Sequence, residues 1–194
     1  MDSILIWIIA IAAVLIVAAI FFRKKMPVGP PVPDKLRQGE PLPEFSAVHE
    51  DGSKVSSKDL LGKSAVILFV RGNWCPFCSK QVEDLTSHYK EINALGAELI
   101  FVTPKPLETT RRVAEFFKVE FEFWLDESLQ IAKSLGLVFP AGVADKSSTE
   151  YGQDTVWPTA LVVDKNGVIR YSKLSRLIID RPGSAALLKE LRQL

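Results

Sequence analysis

The sequence predicts an α/β domain, a mixed central sheet flanked by helices, preceded by one transmembrane helix. Three observations carry this. Strand-like apolar runs alternate with amphipathic helical stretches from about Leu42 to Leu194, the pattern of a sheet covered by helices. The last two strand-like runs are joined by the short turn Asp164-Lys-Asn-Gly167, so they pair antiparallel and the sheet is mixed. Ile4 to Phe22 is a stretch of 19 residues with no charge, proline or glycine, close to the ~20 that cross a bilayer as a helix.

Composition narrows the function classes. The chain has 194 residues, with 24 Lys+Arg against 23 Asp+Glu and a formal net charge of +1. It therefore lacks a basic footprint for nucleic acid. A hydrophobic content of 47% excludes a disordered chain. Two cysteines are too few for a disulfide-stapled scaffold, and His49 and His88 leave little for a His-rich metal site. No metal or cofactor is expected.

The elements follow in order. Residues 1–22 read as the anchor, in contact with membrane lipid through residues 4–22. A secretory signal peptide is the alternative. Against it, the leader carries Asp2 and no Lys or Arg, and the apolar run exceeds the usual ~7–15 residues. Basic residues lie only after the span, at Arg23, Lys24, Lys25, Lys35 and Arg37. They place the domain on the cytoplasmic face, the extracytoplasmic side being the alternative. Residues 23–41 are proline-rich and read as an extended, semi-rigid linker. From residue 42 onward come a short strand at 45–49, a fully buried strand at 64–70, a helix over 75–94 and a strand at 97–103. A helix at 108–117, a strand at 121–125 and a helix capped by Asp126 follow. The hairpin of 160–163 with 168–171 and a closing helix at 184–194 complete the domain. The stretch 139–154 is a long polar loop, either a solvated insertion or a border of the active cleft.

The chemistry lies in Trp74-Cys75-Pro76-Phe77-Cys78. Cys75 stands at the start of a helix, where free N–H groups and the helix dipole favour a thiolate. Arg71 precedes it by four residues and can add to this effect. Pro76 suits the first helical turn. Cys78, Val82, Leu85, Tyr89 and Ile92 recur at helical spacing as a buried stripe, and Gln81, Asp84, His88 and Glu91 form a polar one. Cys78 is thus expected to be shielded and Cys75 to sit at the exposed tip. Cys75 is the attacking thiolate and Cys78 the resolving thiol. Half a zinc site and a chance pair are the competing readings. His88 lies ~20 Å along the same helix and cannot join a metal site with the cysteines.

The stretch Val70-Arg-Gly-Asn-Trp-Cys-Pro-Phe-Cys78, with Phe101-Val-Thr-Pro104 and Trp157-Pro-Thr-Ala-Leu-Val-Val-Asp164, resembles the thioredoxin-fold redoxins. Within them it is similar to the peroxiredoxin-like branch of the alkyl hydroperoxide reductase/thiol-specific antioxidant (AhpC/TSA) family. The resemblance covers residues 42–194. It implies a thioredoxin-like fold, a redox or peroxidatic cysteine at Cys75 and a cis peptide bond at Pro158. It also implies a docking strip at Trp157 and Thr159, with Trp74, Pro76 and Arg71 in support. The chain departs from the family's Pro-x-x-x-Thr-x-x-Cys loop, with Leu68 and Gly72 at the proline and threonine positions. Pro158 stands where the family carries an arginine, and Arg71 is the candidate replacement. These departures favour thiol–disulfide exchange on a protein disulfide, with hydroperoxide reduction as the alternative and a metal-carrying module using His49 as a third. A thioredoxin-type thiol donor is the expected reductant. No acid underlies the strand before Cys75, which leaves Glu83 or water as proton relay.

Overall fold

The computed structural model describes residues 7–17, 28–72, 74–106, 122–144, 146–177 and 179–194. Its seven-stranded sheet has the order β2-β1-β5-β4-β3-β8-β9. The strands are β1 (Ser46–His49), β2 (Lys54–Ser56), β3 (Ser64–Phe69), β4 (Ala97–Thr103), β5 (Glu122–Leu125), β8 (Thr159–Val163) and β9 (Ile169–Leu174). The pair β6 (Val138–Phe139) and β7 (Thr155–Val156) forms a separate two-stranded ribbon. β3 runs parallel to β4, and β4 to β5, whereas β8 and β9 are antiparallel. The sheet is therefore mixed, as the hairpin turn requires.

β3 is central and its side chains alternate between two cores. Ala65, Ile67 and Phe69 join one with Leu36, Trp124, Leu135 and Leu161. Val66, Leu68 and Val70 join the other with Cys78, Leu85, Phe101 and Leu187. This period of two explains a continuous apolar run, because both faces are covered. Residues 7–17 form helix α1. The others are α2 (Pro76–Ser87), α3 (Tyr89–Ala94), α4 (Gln130–Leu135) and α5 (Ser184–Leu191).

Four expectations are corrected. The 75–94 helix is broken at His88, which sits at φ −105° and ψ 8°. The cause is local: Thr86 Oγ1 donates to Val82 O and Ser87 Oγ to Asp84 O, and such back-bonding competes with the helical ladder. No helix among the described residues is long and apolar enough to cross a membrane. This finding overturns the expected placement of a single-pass protein on a membrane face, and the anchor with its lipid contact is not shown. Residues 1–6 and 18–27 lie outside the described residues, as does the helix expected at 108–117. Nor does the proline-rich segment stand off as a spacer. From Gly29 on it lies along the domain: Gly29 N–H donates to Arg176 O at 2.7 Å, Gly39 N–H to Ile169 O at 2.8 Å and Leu42 N–H to Gly167 O at 2.8 Å. Leu36 is wholly buried. Prolines leave few donors; Gly29, Gly39 and Leu42 find carbonyls in or beside β9, whereas Leu36, Arg37 and Glu40 donate to Pro33, Asp34 and Arg37 O within the segment. Finally, no peptide bond is cis among the described residues, so the bond preceding Pro158 is trans.

Candidate functional site

β3 delivers the chain into the turn before Cys75. Gly72 has φ +125°, a region L side chains rarely adopt, and the Lys105 stem lies over it. Cys75 is the N-cap of α2, Pro76 is in its first turn, and the Cys78 and Ser79 N–H groups donate to Cys75 O at 2.9 and 3.1 Å. Both cysteines are free. Against expectation Cys75 is not an exposed tip: it is 1% exposed and Cys78 2%. The Arg71 and Arg181 guanidiniums lie at the Cys75 sulfur and Trp74 packs against the core cluster it belongs to, contacts that local helix position alone does not reveal.

Arg71 Nη2 donates to Cys75 Sγ at 2.9 Å. Arg181 Nη2 lies 3.9 Å from Cys75 Sγ and 3.6 Å from Cys78 Sγ. The Cys78 thiol hydrogen bond, joined by the Arg71 and Arg181 guanidiniums, holds Cys75 at about 5, against the burial that opposes it. Cys78 is pushed the other way, first by its hydrogen bond to the Cys75 sulfur and then by burial. One sulfur is thus poised as thiolate and its neighbour kept as thiol, the division that attack and resolution need.

Arg181 was absent from the sequence reading. The polar stripe of α2 explains its placement. Gln81 Nε2 donates to Pro182 O at 3.0 Å, and Asp84 accepts from Ser184 N–H at 2.7 Å and Ser184 Oγ at 3.0 Å. Two residues of that polar stripe therefore anchor the segment carrying Arg181. The one local hint is a cation just before a helix start, where the dipole disfavours it.

Arg71 also lies between two rings, its Cζ 4.9 Å from the Trp74 centroid and 5.9 Å from the Phe139 centroid. Phe139 stacks on Trp157 at 3.8 Å and 7°. The docking strip expected at Trp157 and Thr159 is closed. Trp157 is 6% exposed, its N–H donates to Leu137 O at 2.6 Å, and its carbonyl accepts from Thr159 Oγ1 at 3.0 Å. Pro158 O accepts from Ser175 N–H at 2.8 Å. A trans bond and these internal partners leave no backbone strip for a substrate.

The long loop does border the site. With Arg71 it lines a cavity of about 420 Å³ that also takes in Lys105, Lys133, Glu150 and Thr155; Lys105 and Glu150 form an ion pair across it. Glu83 is exposed on α2 and supplies no buried acid beneath the cysteines. His49 bonds Asp51 on β1, three strands from β3. Among the described residues no group of three or more His, Cys, Asp or Glu could hold a metal, so the metal-carrier alternative lacks a ligand set.

The family model described as AhpC/TSA family matches residues 38–172. A chloroplastic peroxiredoxin Q of Oryza sativa subsp. japonica is 28% identical over 137 residues, 71% of this chain and 58% of the relative's length. The chain thus spans less than two thirds of that relative. The thiol-disulfide oxidoreductase ResA of Bacillus cereus is 28% identical over 138 residues, 70% of this chain and 69% of the relative. Among solved structures, the peroxidoxin BcpB of Mycobacterium tuberculosis superposes with a TM-score of 0.67 at 17% identity, over 82% of this chain and 98% of that one. At such identity the likeness speaks for the fold, which is thioredoxin-like.

Proposed function

The chain belongs to the AhpC/TSA family, and from that premise we propose that it is a thiol-dependent peroxidase with Cys75 as nucleophile and Cys78 as resolving thiol. The observation that carries this reading is the Arg71 guanidinium at 2.9 Å from a sulfur that is 1% exposed. A sealed sulfur under a cation suits a small polar oxidant better than a folded protein's disulfide. Arg71 also fills the role of the family arginine whose position Pro158 occupies, the absence that weighed against peroxide chemistry in the sequence.

In the proposed cycle the Cys75 thiolate attacks one peroxide oxygen. The S–O bond forms as the O–O bond breaks, and the alkoxide leaves and takes up a proton to become the alcohol. Arg71 and Arg181 stabilise the charge passing between sulfur and oxygen. The Cys78 sulfur then attacks the Cys75 sulfenic acid. A disulfide forms, water departs, and the Cys78 proton goes with it. A dithiol donor of the thioredoxin type returns two electrons by exchange through a mixed disulfide.

Thiol–disulfide exchange is the second reading. The missing threonine at Gly72 and the two cysteines one turn apart favour it, as does the likeness to ResA. The deciding experiment compares hydroperoxide consumption with insulin-type disulfide reduction by the same preparation and dithiol donor. Faster hydroperoxide turnover, lost in Cys75→Ser, supports the peroxidase. Disulfide reduction without hydroperoxide turnover would replace it with the exchange reading.

A further inference from the structure

We infer that Phe139 is a positioning residue for the nucleophile: it closes an aromatic clamp that holds the Arg71 guanidinium on Cys75 without neutralising its charge. The inference rests on Cys75 acting as a thiolate, and so on the proposed chemistry of this site.

The argument starts from what Arg71 lacks. It is 2% exposed, and a cation buried this far ordinarily pairs with a carboxylate. Among the described residues none forms an ion pair with Arg71 and its Nε–H has no partner, while its Nη2 donates to Cys75 Sγ. What flanks the guanidinium is ring: Trp74 with its centroid 4.9 Å from Cζ and Phe139 at 5.9 Å. Both lie within the ~6 Å over which a ring face attracts a cation. A carboxylate in their place would hold the guanidinium equally well but would spend its positive charge. The ring faces leave that charge for the sulfur.

Phe139 is itself fixed. It pairs with Thr155 in the β6–β7 ribbon, and the Val138–Val156 pair beside it sets the register. It stacks on Trp157 at 3.8 Å. Trp157 is backed by Gly29, where a Cβ would come within 2.9 Å of its Cζ3. Gly29 is tied down by Arg176, whose carbonyl accepts from Gly29 N–H at 2.7 Å and whose Nε donates to Gly29 O at 3.0 Å. A continuous stack therefore runs from the amino-terminal segment through Trp157 and Phe139 to Arg71 and Trp74. Phe139 carries no polar atom, so it acts through the arginine. Among the described residues, the charged and titratable groups that face Cys75 are Arg71, Arg181 and Cys78.

The test is the pH dependence of Cys75 alkylation in the reduced full chain, with the modified residue identified by mass spectrometry. Phe139→Leu keeps apolar volume and removes the ring face; Phe139→Trp keeps the face. Phe139→Leu should raise the alkylation midpoint by about half to one unit, a three- to tenfold loss of thiolate below the midpoint. Phe139→Trp should hold it near the wild-type value. Thermal midpoints of both variants separate this from packing, since a merely structural role would lower Tm and leave the alkylation midpoint in place. A Phe139→Leu midpoint equal to wild type overturns the inference, whether or not hydroperoxide is turned over. A shift without hydroperoxide turnover in the wild type upholds the clamp and refutes only the peroxidase reading.

Discussion

Arg71→Met removes the cation nearest the nucleophile while keeping an apolar side chain of similar length between Trp74 and Phe139. The guanidinium donates to Cys75 Sγ at 2.9 Å, and its charge is spread over the group, so an effective separation of ~4 Å is reasonable. At an effective dielectric of ~20 this gives about 4 kcal/mol, or roughly 3 pKa units. The full value will not be lost. The Cys78 thiol still donates to the sulfur and is the larger contributor, and Arg181 remains nearby. The expected rise is about 1–2 units, within the usual range for a lost opposite charge. Wild-type Cys75, held at about 5, is ~90% thiolate at pH 6. The variant should be ~10–50% thiolate there, so alkylation at pH 6 slows about two- to tenfold, whereas at pH 9 the two proteins react alike. Iodoacetamide rates from pH 4 to 9 on the reduced chain measure this directly. A midpoint that moves by less than about half a unit, or that falls, would refute the assignment of Arg71 as the main charge partner.

Three further outcomes are expected. Cys78→Ser keeps an O–H donor toward the thiolate and should leave the Cys75 midpoint low, whereas Cys78→Ala should raise it. Both variants should accumulate an unresolved Cys75 adduct visible by mass spectrometry. Gly72→Ala places a Cβ 2.5 Å from Lys105 Cε at φ +125°. It should lower the urea-unfolding free energy by about 1–3 kcal/mol, the cost of a strained backbone. Leu36→Ala should cost about 2–5 kcal/mol in the same assay, because Leu36 is wholly buried in the core shared with β3 and β8. A loss below ~0.5 kcal/mol, as at an ordinary surface position, would restore the view of this segment as a spacer.

The sequence by itself determined the features that local physics writes into adjacent residues. Alternation of strand and helix, the hairpin at Asp164–Gly167 and the buried stripe of Cys78, Val82, Leu85 and Ile92 all follow from periods of two and 3.6 residues and from turn chemistry. The pairing of two cysteines at a helix start was legible for the same reason, and it supplied the direction of the Cys75 shift. It did not supply the main cause, because the Cys78 thiol and two guanidiniums act there through side-chain geometry. Tertiary structure alone decided the rest. Arg181 lies 106 residues from Cys75, and contacts at that separation leave no periodic trace. Gln81 and Asp84 read only as part of a polar stripe, because a helix stripe cannot show that a later segment docks on it. The proline-rich segment read as a spacer because its composition reports stiffness, not the distant carbonyls of Ile169, Gly167 and Arg176 that receive three of its N–H groups. Trp157 read as a docking strip, yet it is the middle layer of a stack whose other members come from residues 29, 139 and 71, brought together only by the fold.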